Sequence, residues 1–298
     1  MIISGLARRA VGIATLAAVR KLSSLALLFV VLLLTGCGGS SASGSINTRP
    51  PSKSRRTAGH PRAGRSARVR NATPQPGWRH YTGGVPILVY HDLGNPPPGQ
   101  DYPGLYVSDA DFEAEMAWLH QRGYQAVTLD EIMDDFFHGG TLPTKPIVIT
   151  FDNGYIPQAT FAPSVMSRYG WPGVLNEITV GHLNSDRLKR LVGLGWEVDS
   201  HSLTHPDLTQ ISSSELQQQV VQSRKFLQRA LRVPVNSFCY PSNRYNPAVV
   251  AAVKAAGYTN AVTENPGFAT ARTDPFLLPR FEIEGGLSQL QGDLTSGG

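Results

Sequence analysis

Residues 146–155 read PIVITFDNGY, an apolar run that ends in an aspartate, an asparagine and a glycine. An uninterrupted run of apolar and β-branched residues is typical of a strand that is buried on both faces of a sheet. Asp-Asn-Gly is by itself a common turn. Asp152 and Asn153 are therefore either a plain turn or a metal-dependent site in which one acidic ligand has become an amide.

Seven further short apolar runs occur before and after this stretch, and segments with helical periodicity separate them. A glycine followed by an aromatic residue marks four predicted helix ends, at 123–124, 170–171, 195–196 and 257–258. Repeated helix-strand units predict a parallel sheet, and eight strands in about 200 residues favour a small or incomplete (β/α) barrel. The predicted strands are 86–90, 125–128, 146–151, 173–180, 196–200, 236–240, 259–262 and 279–283.

Polar side chains directly follow four of these strands. They are His91, Asp152 with Asn153, His201, and Ser242 in the run Pro241-Ser242-Asn243. The carboxyl ends of parallel barrel strands share one rim, which is where active sites are built. The stretch HSLTH also places His201 and His205 four residues apart, which on a helical turn would allow two imidazoles to bind one ion.

The amino-terminal region of the chain is basic, and the rest of the chain is acidic. Residues 1–91 contain 13 of the 27 Lys and Arg residues and no Asp or Glu, whereas the remainder carries 14 basic and all 22 acidic side chains. The predicted barrel is therefore acidic, which argues against nucleic-acid binding because that needs a basic face on the folded domain.

The amino-terminal region has the pattern of an exported protein. Residues 1–36 contain a short apolar run after Arg20 and Lys21, as in a secretory signal, and Leu34-Thr35-Gly36-Cys37 resembles a bacterial lipobox with Cys37 as the acylated residue. An uncleaved anchor and a plain signal are the alternatives. Residues 37–82 are rich in Gly and Ser and then in Arg and Pro, which predicts a disordered tether, and 83–298 is the folded domain.

The motifs PILVYHDL, ITFDNGY, VDSHSLTHPDL, FCYPSNRYN and LPRFEI, taken in order, resemble the polysaccharide deacetylase family. This family is also called the NodB-homology domain or carbohydrate esterase family 4, and the resemblance covers about residues 84–285. The first motif is similar to the PVLMYH-like opening strand of a bacterial subgroup, which includes lipoproteins. The resemblance implies a distorted (β/α)7 or (β/α)8 barrel that removes acetyl groups from N-acetylated sugars with a divalent ion, usually zinc.

The resemblance also implies roles for individual residues. His201 and His205 correspond to metal ligands, and Asn153 stands where the family has an aspartate ligand. Asp152 corresponds to the catalytic base.

Three further positions complete this set. The backbone of Ser242 corresponds to the group that binds the oxyanion, and Arg280 to the residue that orients the base. His91 would face the site as a proton donor or a substrate contact.

Several positions depart from the family pattern. Asn153 brings no charge to an ion, Asn243 replaces a usual glycine, and the chain has no histidine after His205. Three functions therefore remain open: a metal-dependent deacetylase of envelope or extracellular polysaccharide, a glycan-binding relative without catalysis, and another hydrolase or a scaffold. We expect an N-acetylated polysaccharide and a membrane as partners, and the sequence gives no sign of an oligomer.

Overall fold

The computed structural model describes residues 68–181 and 183–295. The predicted signal peptide, Cys37 and most of the predicted tether lie outside these residues. Within the described part of the chain, no helix combines the length and hydrophobicity that crossing a bilayer requires.

The described chain alternates short strands with helices, as the sequence predicted. The strands are β1 (Val85–Tyr90), β2 (Asp92–Leu93), β3 (Tyr106–Val107), β4 (Gln125–Val127), β5 (Pro146–Asn153), β6 (Val174–Glu177), β7 (Glu197–Ser200), β8 (Ser237–Cys239), β9 (Asn260–Val262), β10 (Phe268–Ala269) and β11 (Phe281–Glu282). The helices are α1 (Asp109–Gln121), α2 (Leu129–His138), α3 (Ile156–Met166), α4 (Ser185–Leu194), α5 (Ser213–Leu231), α6 (Pro247–Ala255) and α7 (Leu287–Thr295).

Nine strands form one curled sheet in the order β10-β1-β5-β6-β7-β8-β9, with β4 on β5 and β11 on β1. All pairings in this sheet are parallel except that of β10 with β1. Leu278 bridges Val262 of β9, and Phe281 pairs with Leu88 of β1. This one segment therefore links the two edges of the sheet, and the α/β barrel predicted from the sequence is confirmed.

Strand β5 lies between β1 on one side and β4 and β6 on the other, and all eight of its residues are buried. This explains why its sequence is almost continuously apolar. The four Gly-aromatic pairs also behave as predicted, because Gly123, Gly170, Gly195 and Gly257 have φ between 75° and 93°, the left-handed region in which a helix commonly ends.

The predicted tether ends earlier than its composition indicated. Val69, Asn71 and Trp78 are buried, and the Asn71 side chain donates a hydrogen bond to the Ala126 carbonyl at 3.1 Å. The Asn71 backbone N–H also donates to the Gly170 carbonyl at 2.8 Å. The predicted boundary between residues 82 and 83 is therefore wrong, because a few buried anchors hold residues 68–82 on the domain despite their polar composition.

Candidate active site

The carboxyl ends of β1, β5 and β7 and the segment before β11 bring four of the predicted site residues into one buried cluster. His91, Asp152, His201 and Arg280 are all less than a tenth exposed. Arg280 directly precedes β11, the strand that pairs with β1, so its side chain reaches the end of β5 from the closing segment.

Asp152 and Arg280 form a two-point ion pair in which neither side chain is exposed. The guanidinium donates to Oδ1 at 2.9 Å and to Oδ2 at 2.7 Å, and it is itself fixed by the Thr263 carbonyl. Burial alone would raise the pKa of Asp152, but the Arg280 charge outweighs burial and holds this pKa far below its usual range. Asp152 is therefore a carboxylate at any physiological pH.

Two residues that sequence reasoning missed also contact Asp152. Asn176 donates to Oδ1 at 2.8 Å, and the Cys239 thiol donates to Oδ2 at 3.1 Å. Asn176 pairs in register with Asp152 on the neighbouring strand, and it is a polar residue in a strand that is otherwise apolar at its start. With Arg280, these residues give each carboxylate oxygen two donors.

Gln158, near the start of α3, connects the ends of two strands and was also missed. Its side chain donates to the backbone carbonyls of His91 and Asp152, and it accepts from the Gly154 N–H at 3.1 Å and the Tyr155 N–H at 2.9 Å. This buried amide therefore fixes the chain directly before and after the DNG turn.

The two histidines of HSLTH face each other, with 3.1 Å between their Nε2 atoms. Residues 201–205 are not the helical turn that the spacing suggested, because Ser202 and His205 have φ of 66° and 61°. Instead, the Ser202 hydroxyl accepts a hydrogen bond from the His205 N–H at 2.9 Å and holds the loop. The imidazoles therefore converge through a tight polar turn.

The protonation of this pair suits a cation. His201 Nδ1 lies 3.0 Å from the Cys239 carbonyl, which places the ring proton on Nδ1 and leaves the Nε2 lone pair free. Burial lowers the pKa of His201 to about 3 and also lowers the pKa of His205. Both rings are therefore neutral, which is the form that binds metal.

The donor set fits a divalent ion. In a tetrahedral zinc site the zinc-nitrogen distances are about 2.0–2.1 Å, so two imidazole nitrogens on one ion lie roughly 3.3 Å apart. The Nε2 atoms of His201 and His205, at 3.1 Å, are close to this separation. Among the residues that the structure describes, the buried Oδ1 of Asn153 has no hydrogen-bond partner, which is the state expected of an oxygen reserved for a ligand. Ligand atoms of Asp152, His201 and Cys239 also lie within 4.8 Å of one another.

His91 lies on the same rim between two glutamates. Its Nδ1 atom is 3.7 Å from Glu282 Oε1, and its Nε2 atom is 4.0 Å from Glu264 Oε1. Burial lowers the pKa of His91, although the Asp152 carboxylate opposes this effect. Glu264 directly follows Thr263 at the end of β9 and was not recognised from the sequence.

Ser242 lies in the short 3-10 segment Pro241–Asn243, with its side chain exposed and φ of 50°. No hydrogen bond among the described residues joins its side chain to the buried cluster. Asn243 follows with φ of 53°, in the left-handed region that glycine favours and asparagine tolerates.

Glu177 is a buried carboxyl beside the DNG turn. Burial raises its pKa to about 9, although a hydrogen bond with the Leu183 backbone opposes this rise. Gly154 leaves room for it, since a Cβ atom there would lie 2.0 Å from Glu177 Oε2. The carboxyl is therefore protonated at neutral pH and packs directly on the turn.

Part of the chain is similar in sequence to proteins of known family. Residues 139–261 match the family model described as polysaccharide deacetylase. The Bacillus subtilis protein YxkH, whose name assigns it to the polysaccharide deacetylases, is 29% identical over 211 residues, which cover 68% of this chain and 73% of YxkH. The poly-beta-1,6-N-acetyl-D-glucosamine N-deacetylase of Escherichia coli strain K12 is 29% identical over 97 residues, which cover 33% of this chain and only 14% of that protein.

Solved structures show the same fold. The crystal structure of a polysaccharide deacetylase from Bacillus cereus superposes with a TM-score of 0.63 at 25% identity, over 72% of this chain and 70% of that one. Residues 139–261 of this chain are therefore similar to the polysaccharide deacetylase family, and the described domain shares the fold of a solved polysaccharide deacetylase.

Proposed function

We propose that this protein is a metal-dependent deacetylase that hydrolyses the acetamide of N-acetylated sugars in an envelope or extracellular polysaccharide. The observation that carries the proposal is the buried Asp152-Arg280 pair beside two neutral imidazoles whose Nε2 atoms face each other. A permanently ionised acceptor next to a candidate cation site is what attack of water on an amide requires.

His201, His205 and Asn153 are the residues that would hold the ion. Two imidazoles and one oxygen suit zinc. A bound divalent ion supplies positive charge that polarises a carbonyl and makes a water more acidic. Because Asn153 is neutral, we expect weaker binding than a site with a carboxylate ligand would give.

The protein's own groups have separate roles in the proposed reaction. Asp152 accepts a proton from the attacking water, and Arg280 and Asn176 hold it in place. The Ser242 N–H is our candidate donor to the oxyanion, which is usually a large contribution to lowering the barrier. His91 contacts the sugar or donates a proton to the leaving amine.

The amino-terminal region suggests where this chemistry occurs. We infer export through the signal-like segment 1–36 and lipid attachment at Cys37, as in the bacterial lipoprotein subgroup whose first motif resembles PILVYH. The basic residues upstream of the domain would then lie near anionic lipid or wall polymer, or act only as a solvated spacer.

A second function is favoured by Asn153, the neutral residue at the third ligand position. A protein of this fold that no longer binds metal could still hold glycan on the same rim. Such a protein would bind the polysaccharide without releasing acetate.

Acetate release distinguishes the two functions. The full chain, loaded in turn with zinc, nickel and cobalt, is incubated with N-acetylglucosamine oligomers and with peptidoglycan fragments, and free acetate and bound metal are measured. We expect acetate from the wild type and none from Asp152→Asn or His201→Ala. Retained glycan binding with neither metal nor acetate would establish the binding function instead.

A further inference from the structure

A third acidic group converges with His91 and Asp152. Ligand atoms of His91, Asp152 and Glu264 all lie within 4.8 Å of one another. Glu264 Oε1 is 4.0 Å from His91 Nε2 and 3.9 Å from the Arg280 guanidinium, and its side chain is only 18% exposed. Separations of this size are bridged by a small rotation or by one water in a free enzyme.

Asn243 holds Glu264 at this position. Its Oδ1 atom accepts a hydrogen bond from the Glu264 N–H at 3.0 Å, and its Nδ2 atom donates to Asn265 Oδ1 at 3.2 Å. The side chain of Asn243 thus ties the loop after β9 to the loop after β8. A glycine at position 243 would make neither bond.

The surroundings of Glu264 favour a proton on it. Burial raises the pKa of Glu264 to about 7, Arg280 opposes this rise, and the Asp152 and Glu282 carboxylates add to it. His91, by contrast, is held neutral by burial. Of Glu264 and His91, Glu264 is therefore the group that carries a transferable proton near neutral pH.

We propose that Glu264 is the acid that protonates the leaving amine, with His91 as the neighbouring neutral contact. This inference rests on the deacetylase function proposed above. When the C–N bond breaks, its electron pair stays on nitrogen, which takes the Glu264 proton and leaves as the amine. Asp152 keeps the proton taken from water, and the acetyl group leaves as acetic acid.

The cycle closes without another reactant. The Asp152 proton returns to Glu264, since ligand atoms of the two carboxyl groups and of His91 lie within 4.8 Å of one another. The cluster thus accounts for amine protonation in a chain that has no histidine after His205.

The test compares two leaving groups in the metal-loaded full chain. An amide loses an amine that must be protonated, whereas 4-nitrophenyl acetate loses a phenolate that need not be. We expect Glu264→Gln to lower kcat for the amide by about 100-fold or more, as for loss of a general acid, and to leave aryl ester hydrolysis within about twofold. Asn243→Gly should show the same selectivity to a smaller extent.

Glu284→Gln, at an exposed position of the same rim, is the matched control and should leave both rates unchanged. Equal loss of amide and ester activity in Glu264→Gln would make Glu264 structural and overturn the proposal. So would amide-selective loss in His91→Gln or Glu282→Gln with Glu264→Gln unaffected. A wild type that cleaves the ester but never the amide would instead refute the deacetylase function.

Discussion

Arg280 reaches from the segment that closes the barrel to both carboxylate oxygens of Asp152 at the end of β5, and neither side chain is exposed to solvent. One ion pair therefore joins the closure of the sheet to the candidate base. Loss of Arg280 should affect folding and chemistry together.

We expect Arg280→Met to lower the free energy of unfolding by about 3–5 kcal/mol, the usual cost of leaving a buried charge unpaired. Urea titration at pH 7 measures this free energy of unfolding. Adding Asp152→Asn should restore part of the loss, because the unpaired charge is then gone. If the double variant is less stable than Arg280→Met alone, packing of the arginine rather than charge dominates.

Gly154→Ala should destabilise the protein more than Gly123→Ala does. Both glycines have φ near 80°, so each alanine pays the left-handed penalty of about 1 kcal/mol. Only at position 154 would the new Cβ meet a buried group, Glu177 Oε2 at 2.0 Å, which adds about 1–3 kcal/mol. Equal unfolding free energies for the two variants would show that Glu177 can move away freely.

Glu177 should make stability fall as the pH rises. Its folded pKa of about 9 lies above the ordinary glutamate value of 4.5, so its stabilising contribution is complete below about pH 4.5 and is lost as the pH rises toward 9. With a chelator present, we expect Glu177→Gln to gain stability relative to the wild type by about 1 kcal/mol per pH unit in this window. If the difference in unfolding free energy between the two proteins did not change with pH, Glu177 would not titrate in this window.

Asn153→Asp should raise zinc affinity by at least tenfold, because it adds a negative oxygen beside two neutral imidazoles. Aspartate tolerates the observed φ of 79° as asparagine does. Competition with a chromophoric chelator measures the affinity. His201→Ala in the same background should remove the gain, and an unchanged affinity in Asn153→Asp would mean that residue 153 does not reach the ion.

The local pattern of the sequence was enough to predict eight of the eleven strands and the four Gly-aromatic helix ends, because buried strands are apolar and helix ends favour glycine. The two-residue strands β2, β3 and β10 are too short to show such a pattern. The spacing of His201 and His205 correctly indicated that they meet, but it gave the wrong backbone, since the left-handed turn depends on the Ser202 hydroxyl. Asn176 and Glu264 were missed because their importance comes from strand register and loop packing far from the motifs.

The described chain begins at Arg68. Close to this end, the Val69 N–H donates to the Leu194 carbonyl and the Asn71 N–H donates to the Gly170 carbonyl. Those carbonyls precede β6 and β7, at the end of the sheet opposite to Asp152. A fluorophore or a chip surface attached at Arg68 itself would thus be joined to the end of the sheet opposite to Asp152. A protein immobilised at Arg68 would keep its candidate active site facing the solution.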